Sequence, residues 1–204
     1  MYTIGLTGGI ASGKSTVVSM LQKEYHAPVI DCDILAREVV VPGSAGLAAV
    51  VQAFGDRTLL PDGTMDRRYI GNLVFADKQR KAELEAILFP FIHQRIDEEI
   101  IRFRDIHKEK IIFLDMPLLF EVKYHLYVDE TWLVYVDSKT QLTRLMQRNH
   151  FTEQEALNRI HAQLPIEEKR SLAQVIIDNT GSLEDTKRQV RVQWEQLLAR
   201  VDNQ

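Results

Sequence analysis

Residues 8–15 read Gly8-Gly9-Ile10-Ala11-Ser12-Gly13-Lys14-Ser15, directly after the apolar run 3–7 and directly before the amphipathic stretch 15–25. This is G-x-x-x-x-G-K-[ST] in a strand–turn–helix setting, and it constrains the fold more than anything else in the chain. Glycines let the backbone curl until successive N–H groups converge on phosphate oxygens, and the helix behind adds its positive end. Lys14 reaches the β- and γ-phosphates, and the Ser15 hydroxyl is placed to ligate Mg²⁺. The expected nucleotide contacts are Gly8, Gly9, Ala11, Ser12, Gly13, Lys14, Ser15 and Thr16, with ATP as the ligand. A loop of this kind sits at the mouth of a parallel sheet, so the rest of the chain should supply strands and crossover helices.

It does so. Runs 3–7, 28–31, 110–115, 131–137 and 173–178 are short and rich in β-branched or aromatic residues, as strands buried on both faces should be. Helical spacing fills most of the intervals, including 15–25, and continues after the last run at 182–201. The alternation breaks once. From 42 to 108 the pattern is almost wholly helical, interrupted by the Pro/Gly-punctuated loop 56–64. The stretch 78–107 is long for one helix, and Pro90 is expected to kink or divide it. A second charged helical stretch, 149–172, lies where a lid would lie. The organisation expected is one α/β domain over 1–204. Its core comprises 1–41, 109–148 and 173–204, with a helical insertion at 42–108 and a lid at 149–172.

Three further groups bear on chemistry. Asp31 and Asp33 close the second strand two residues apart, which on a strand would put both carboxylates on one face. A carboxylate there could take the proton of an attacking hydroxyl, but Asp33 is equally suited to cap the helix that begins near Ile34. Asp115 ends the third strand, where an acidic residue can order Mg²⁺ or water; Asp31 and Glu121 are also candidates for that task. No Glu follows Asp115 directly, which argues against a motor-type ATPase. Arg144 and Arg148 lie four apart, on one helical face, and arginines so placed can clamp a phosphoryl group in transfer.

Composition removes several alternatives. Net charge is −4 with no basic stripe, so a general nucleic-acid binder is not expected. The single cysteine, Cys32, permits no intramolecular disulfide, and the six histidines show no metal-binding spacing. No N-K-x-D guanine motif occurs, which disfavours a GTPase-like switch. Neither a secretory leader nor an apolar run of membrane-spanning length is visible, so a cytoplasmic protein without membrane partners is expected.

Taken in order, the elements LTGGIASGKST (6–16), DCDILAREVV (31–40), MDRRYIGNLVF (65–75), LDMPLLFE (114–121), VDSKTQLTRLMQRN (136–149), QLPIEEKR (163–170) and VIIDNTGS (175–182) resemble the dephospho-CoA kinase family through nearly the whole chain. The resemblance implies a P-loop kinase fold with a five-stranded parallel sheet, a helical substrate-binding insertion and a lid. It also implies transfer of the ATP γ-phosphoryl group to the ribose 3′-hydroxyl of dephospho-CoA, the last step of coenzyme A synthesis. Carried over by motif, Asp33 becomes the general base, and Arg37, Asp66 and Arg67 help hold the acceptor. Arg144 and Arg148 serve the lid, and Asn179 and Gly181 form the turn near the adenine. Two positions depart from the family pattern: Phe89 stands where a His is usual, and Gln174 where Asp is frequent. Another P-loop nucleotide or metabolite kinase is the alternative.

Overall fold

The computed structural model describes residues 1–202. The described residues divide into two compact units, one formed by 1–30 with 103–202 and the other by 31–102.

The first unit is built on β1 (Tyr2–Gly8), β2 (Val29–Asp31, whose last residue opens the second unit), β3 (Ile111–Asp115), β4 (Glu130–Tyr135) and β5 (Val175–Asp178). They form one sheet in the order β2-β3-β1-β4-β5, with β1 parallel to both β3 and β4 and β4 parallel to β5. All five expected strands are present within two residues of their expected ends. Period-two alternation divides their side chains between the faces. Ile4, Leu6, Phe113, Trp132, Val134 and Ile177 point to the face covered by α1 (Lys14–Glu24) and α9 (Leu183–Asp202). Leu133 and Tyr135 point to the other, where Ile166 of α8 (Ile166–Leu172) packs. Helices therefore flank both faces, the three-layer arrangement that near-continuous apolar strands require. On the α1/α9 face Phe113 sits between the two tryptophans, with ring centroids 5.2 Å from Trp132 and 6.2 Å from Trp194. Between β4 and β5 the chain also forms α6 (Ser138–Asn149) and α7 (Glu153–His161).

Residues 31–102 carry α2 (Cys32–Glu38), α3 (Ala45–Phe54), α4 (Arg67–Ala76) and most of α5 (Lys78–Asp105). The compact unit begins earlier than the expected boundary at 42, because α2 is tied into it. Ser44 Oγ donates to the Val39 carbonyl at 2.8 Å, and Arg95 Nε donates to Glu38 at 3.0 Å. Of the two outcomes expected at Pro90, a kink or a division, the division does not occur. α5 continues through it as one helix of 28 residues. A proline inside a helix costs about 3 kcal/mol, and tertiary contacts on the same helix offset it here: Ile96 and Glu99 are buried, and Arg95 joins Glu38 to Glu99.

Candidate active site

β1 lies between β3 and β4, so the loop leaving its carboxyl end is flanked by chain leaving β3 on one side and β4 and β5 on the other. That is the reversal point at which open parallel sheets bind ligands. The loop turns tightly, Ser12 N donating to the Gly9 carbonyl at 3.0 Å, and enters α1 through Thr16 N to the Gly13 carbonyl at 2.9 Å. Gly13 has φ +90°, a conformation that disfavours any side chain, and a Cβ there would strike the Asn179 amide. Ala11, at φ 60°, holds a left-handed conformation without being glycine, a strain of order 1 kcal/mol. Ser15 and Thr16 are exposed at the first turn of α1, whereas Ser12 is fully buried and its Oγ has no hydrogen-bond partner among the described residues.

Lys14 Nζ forms an ion pair with Asp115 Oδ1 at the end of β3, and both side chains are largely buried. Behind this pair lies a second one. Lys169 of α8 is fully buried; its Nζ donates to Glu121 Oε1 and to the Pro117 carbonyl, each at 2.8 Å. Glu121 Oε1 also accepts from Leu164 N at 3.0 Å, and Thr7 Oγ1 donates to the same Pro117 carbonyl at 3.0 Å. Burial holds the Lys169 ammonium below the ordinary lysine pKa against the opposing pull of Glu121, and the nearby Lys14 charge lowers it further.

Three carboxamides grip the loop backbone. Gln141 Nε2 of α6 donates to the Ile10 carbonyl at 3.0 Å, and Gln163 Oε1 accepts from Ile10 N at 2.8 Å. Asn179 Nδ2, just after β5, donates to the Ser12 carbonyl at 2.8 Å, while its Oδ1 accepts from Thr186 Oγ1 at 2.8 Å. The Gln141 amide lies so close that a Cβ on Gly9 would displace it. Sequence reading placed Asn179 beside the adenine. Its buried side chain is bonded at both ends to protein, and Gly181 is exposed two residues on.

Other expected residues fall as follows. In the unit 31–102, α2 begins at Cys32, and Asp31 is its cap, with Oδ1 accepting from Asp33 N at 2.9 Å and Ile34 N at 3.1 Å. This corrects two expectations. Asp33 is not the cap, and it shares no strand face with Asp31 because it belongs to the first helical turn; its side chain is exposed there. Arg37 lies exposed in the last turn of the same helix. Asp66 caps α4, accepting from Tyr69 N at 2.9 Å, and Arg67 is exposed beside it. In the other unit, Arg144 and Arg148 lie on α6, and Arg148 Nε donates to Asn149 Oδ1 at 2.8 Å. The stretch 149–172, expected as a lid, is not uniform, because α8 is docked in the core through Ile166 and Lys169. Gln174 bears on the opposite end of the sheet from the loop: its Oε1 accepts from Thr131 N at 2.8 Å, joining the starts of β4 and β5. Gln141, Gln163 and Lys169 were not singled out from sequence. Gln141 and Lys169 are buried polar residues in helices and Gln163 is a half-buried residue between α7 and α8, and none of this shows until the helices are placed.

A metal would meet oxygen donors here, the Ser15 hydroxyl and the Asp115 carboxylate. Among the described residues no cluster of three His, Cys, Asp or Glu side chains could hold an ion unaided. That donor set fits Mg²⁺, which is ordinarily held by one or two protein oxygens together with nucleotide phosphates. No helix is long and apolar enough to cross a membrane among the described residues.

Comparison with known proteins agrees with this geometry. The sequence model of the dephospho-CoA kinase family matches residues 2–185. A dephospho-CoA kinase of Shouchella clausii is 46% identical over 187 residues, covering 92% of this chain and 94% of that one. Among solved structures, TT1252 of Thermus thermophilus superposes with a TM-score of 0.81 at 34% identity, covering 96% of this chain and 97% of that one. The dephospho-CoA kinase from Campylobacter jejuni gives a TM-score of 0.70 at 27% identity, covering 98% of each chain. With a P-loop at the switch point of a five-stranded parallel sheet and a family match across nearly its whole length, the chain belongs to the dephospho-CoA kinase family.

Proposed function

We propose that the protein phosphorylates the ribose 3′-hydroxyl of dephospho-CoA at the expense of ATP, giving coenzyme A and ADP. The observation that carries the reading is the loop itself: a left-handed Gly13, a Lys14–Asp115 pair and an exposed Ser15, built where a triphosphate would lie. Backbone N–H groups of the loop and Lys14 neutralise the β- and γ-phosphates. Ser15, with Asp115 beside Lys14, is the donor set for Mg²⁺, which when bound offsets charge on the phosphate oxygens. Asp33 takes the proton of the attacking hydroxyl. It stands exposed in the first turn of α2, the helix that Asp31 caps. Arg144 and Arg148 stabilise the phosphoryl group in flight, while Arg37 and Arg67, both exposed cations, suit an anionic acceptor. Such a protein works as an enzyme of the cytoplasm.

The test is ADP release with and without dephospho-CoA, with the product identified by mass. Turnover that depends on dephospho-CoA and yields coenzyme A is the expected result. ADP binding without that turnover would overturn the acceptor and leave the loop assignment standing.

A further inference from the structure

A phosphate-binding loop has an accounting problem. Its N–H groups must stay available to the anion, so its carbonyls must face the protein, and carbonyls buried there need donors. Two side chains supply that need in this fold and a third holds a loop N–H, and each comes from a different segment far along the chain. Gln141 satisfies the Ile10 carbonyl and Asn179 the Ser12 carbonyl, while Gln163 withdraws the Ile10 N–H, at the loop's entry, by accepting from it. The orientations are not interchangeable. A carbonyl can only accept and an N–H can only donate, so the backbone fixes which end of each carboxamide faces the loop. All three clamps are uncharged, so none competes with an anionic ligand for the loop's positive field.

We propose that Gln141, Gln163 and Asn179 are positioning residues that hold the loop in its phosphate-receiving form before nucleotide arrives. The inference rests on the loop's nucleotide-binding role and not on the identity of the acceptor, so it is tested with ADP alone. It makes an asymmetric demand. Gln163 works through its oxygen, so a carboxylate can replace it; Gln141 works through its nitrogen, so a carboxylate cannot.

The experiment compares Gln141→Met, Gln141→Glu, Gln163→Met and Gln163→Glu with the parent, reading ADP affinity by calorimetry and Ile10 amide exchange in the ligand-free protein. Methionine matches glutamine in volume, which separates hydrogen bonding from space-filling. Both Met variants should weaken ADP binding about tenfold, the effect of a lost buried hydrogen bond. The Ile10 amide should exchange about tenfold faster in Gln163→Met and no faster than in the parent in Gln163→Glu. Gln141 is only 2% exposed, so should Gln141→Glu fail to fold, Gln141→Met carries that half of the test. Parent-like ADP affinity in both Met variants would overturn the proposal. So would equal Ile10 exchange in Gln163→Met and Gln163→Glu.

Discussion

Lys169 gives the most severe test of how this core is held. Replacing it with methionine keeps most of the stem and removes the ammonium. Glu121 Oε1 would then keep only the Leu164 amide, and its other oxygen, Oε2, is already buried without a hydrogen-bond partner among the described residues. The Pro117 carbonyl would still be served by Thr7. Breaking a buried ion pair from one side costs about 3–5 kcal/mol, since a desolvated charge is left behind. The Glu121 side chain is 20% exposed, so water relieves part of the penalty and the lower end, about 3 kcal/mol, applies. With a urea m-value of about 2 kcal/mol/M, the midpoint should fall by about 1.5 M. Removing both charges, in Lys169→Met with Glu121→Leu, should recover most of this and leave a deficit of about 1 kcal/mol for the Leu164 N–H. Chemical denaturation of the parent, single and paired variants decides the matter. A single variant within 0.5 M of the parent by about the same m-value, or a pair less stable than the single, would refute the reasoning.

Gly13→Ala should cost about 2 kcal/mol, from the forced left-handed alanine and the displaced Asn179 amide, lowering Tm by about 4–8 °C and weakening ADP binding; an unchanged Tm would contradict the contact. Asp33→Asn should keep ADP affinity within about threefold and lose at least about a hundredfold in kcat, the usual share of a general base; near-normal turnover would remove Asp33 from that role. At acid pH the helix-start carboxylates of Asp137, Glu155 and Asp185 are all held below their ordinary values, Asp137 by Thr140, Glu155 by Thr152, and Asp185 by Ser182 and then Arg188. The folded state therefore binds fewer protons than the unfolded one, so these groups stabilise it above their ordinary range near pH 4 and lose that effect as pH falls through it. Thermal melts between pH 6 and pH 3 should flatten for Asp137→Asn; an identical profile would remove Asp137 from the set.

The strands and the loop were legible in sequence because their signals are local. Ile111–Asp115 is apolar at every position but its last, and residues 8–15 carry their chemistry in consecutive order. What could not be read was supplied from afar. Gln141 and Gln163 lie 131 and 153 positions from the Ile10 peptide they hold, and helical spacing marks a face without saying what it meets. Asp31 and Asp33 are chemically alike, so only the extended backbone of Asp31, φ −81° and ψ 103°, reveals which one caps. Pro90 does not divide its helix because its local penalty is set against contacts that only the folded unit makes.

The Trp132–Phe113–Trp194 cluster has an optical consequence. Trp132 on β4 and Trp194 on α9 pack on one face of one sheet, and residues 31–102 contain no tryptophan. Intrinsic indole emission therefore reports melting of the unit that carries the P-loop and is silent about the helical unit that carries Asp33. Far-ultraviolet ellipticity, by contrast, sums helices from both. If the two signals trace one curve on heating, the units unfold together; if ellipticity falls first, the helical unit opens while the nucleotide-binding unit is still folded.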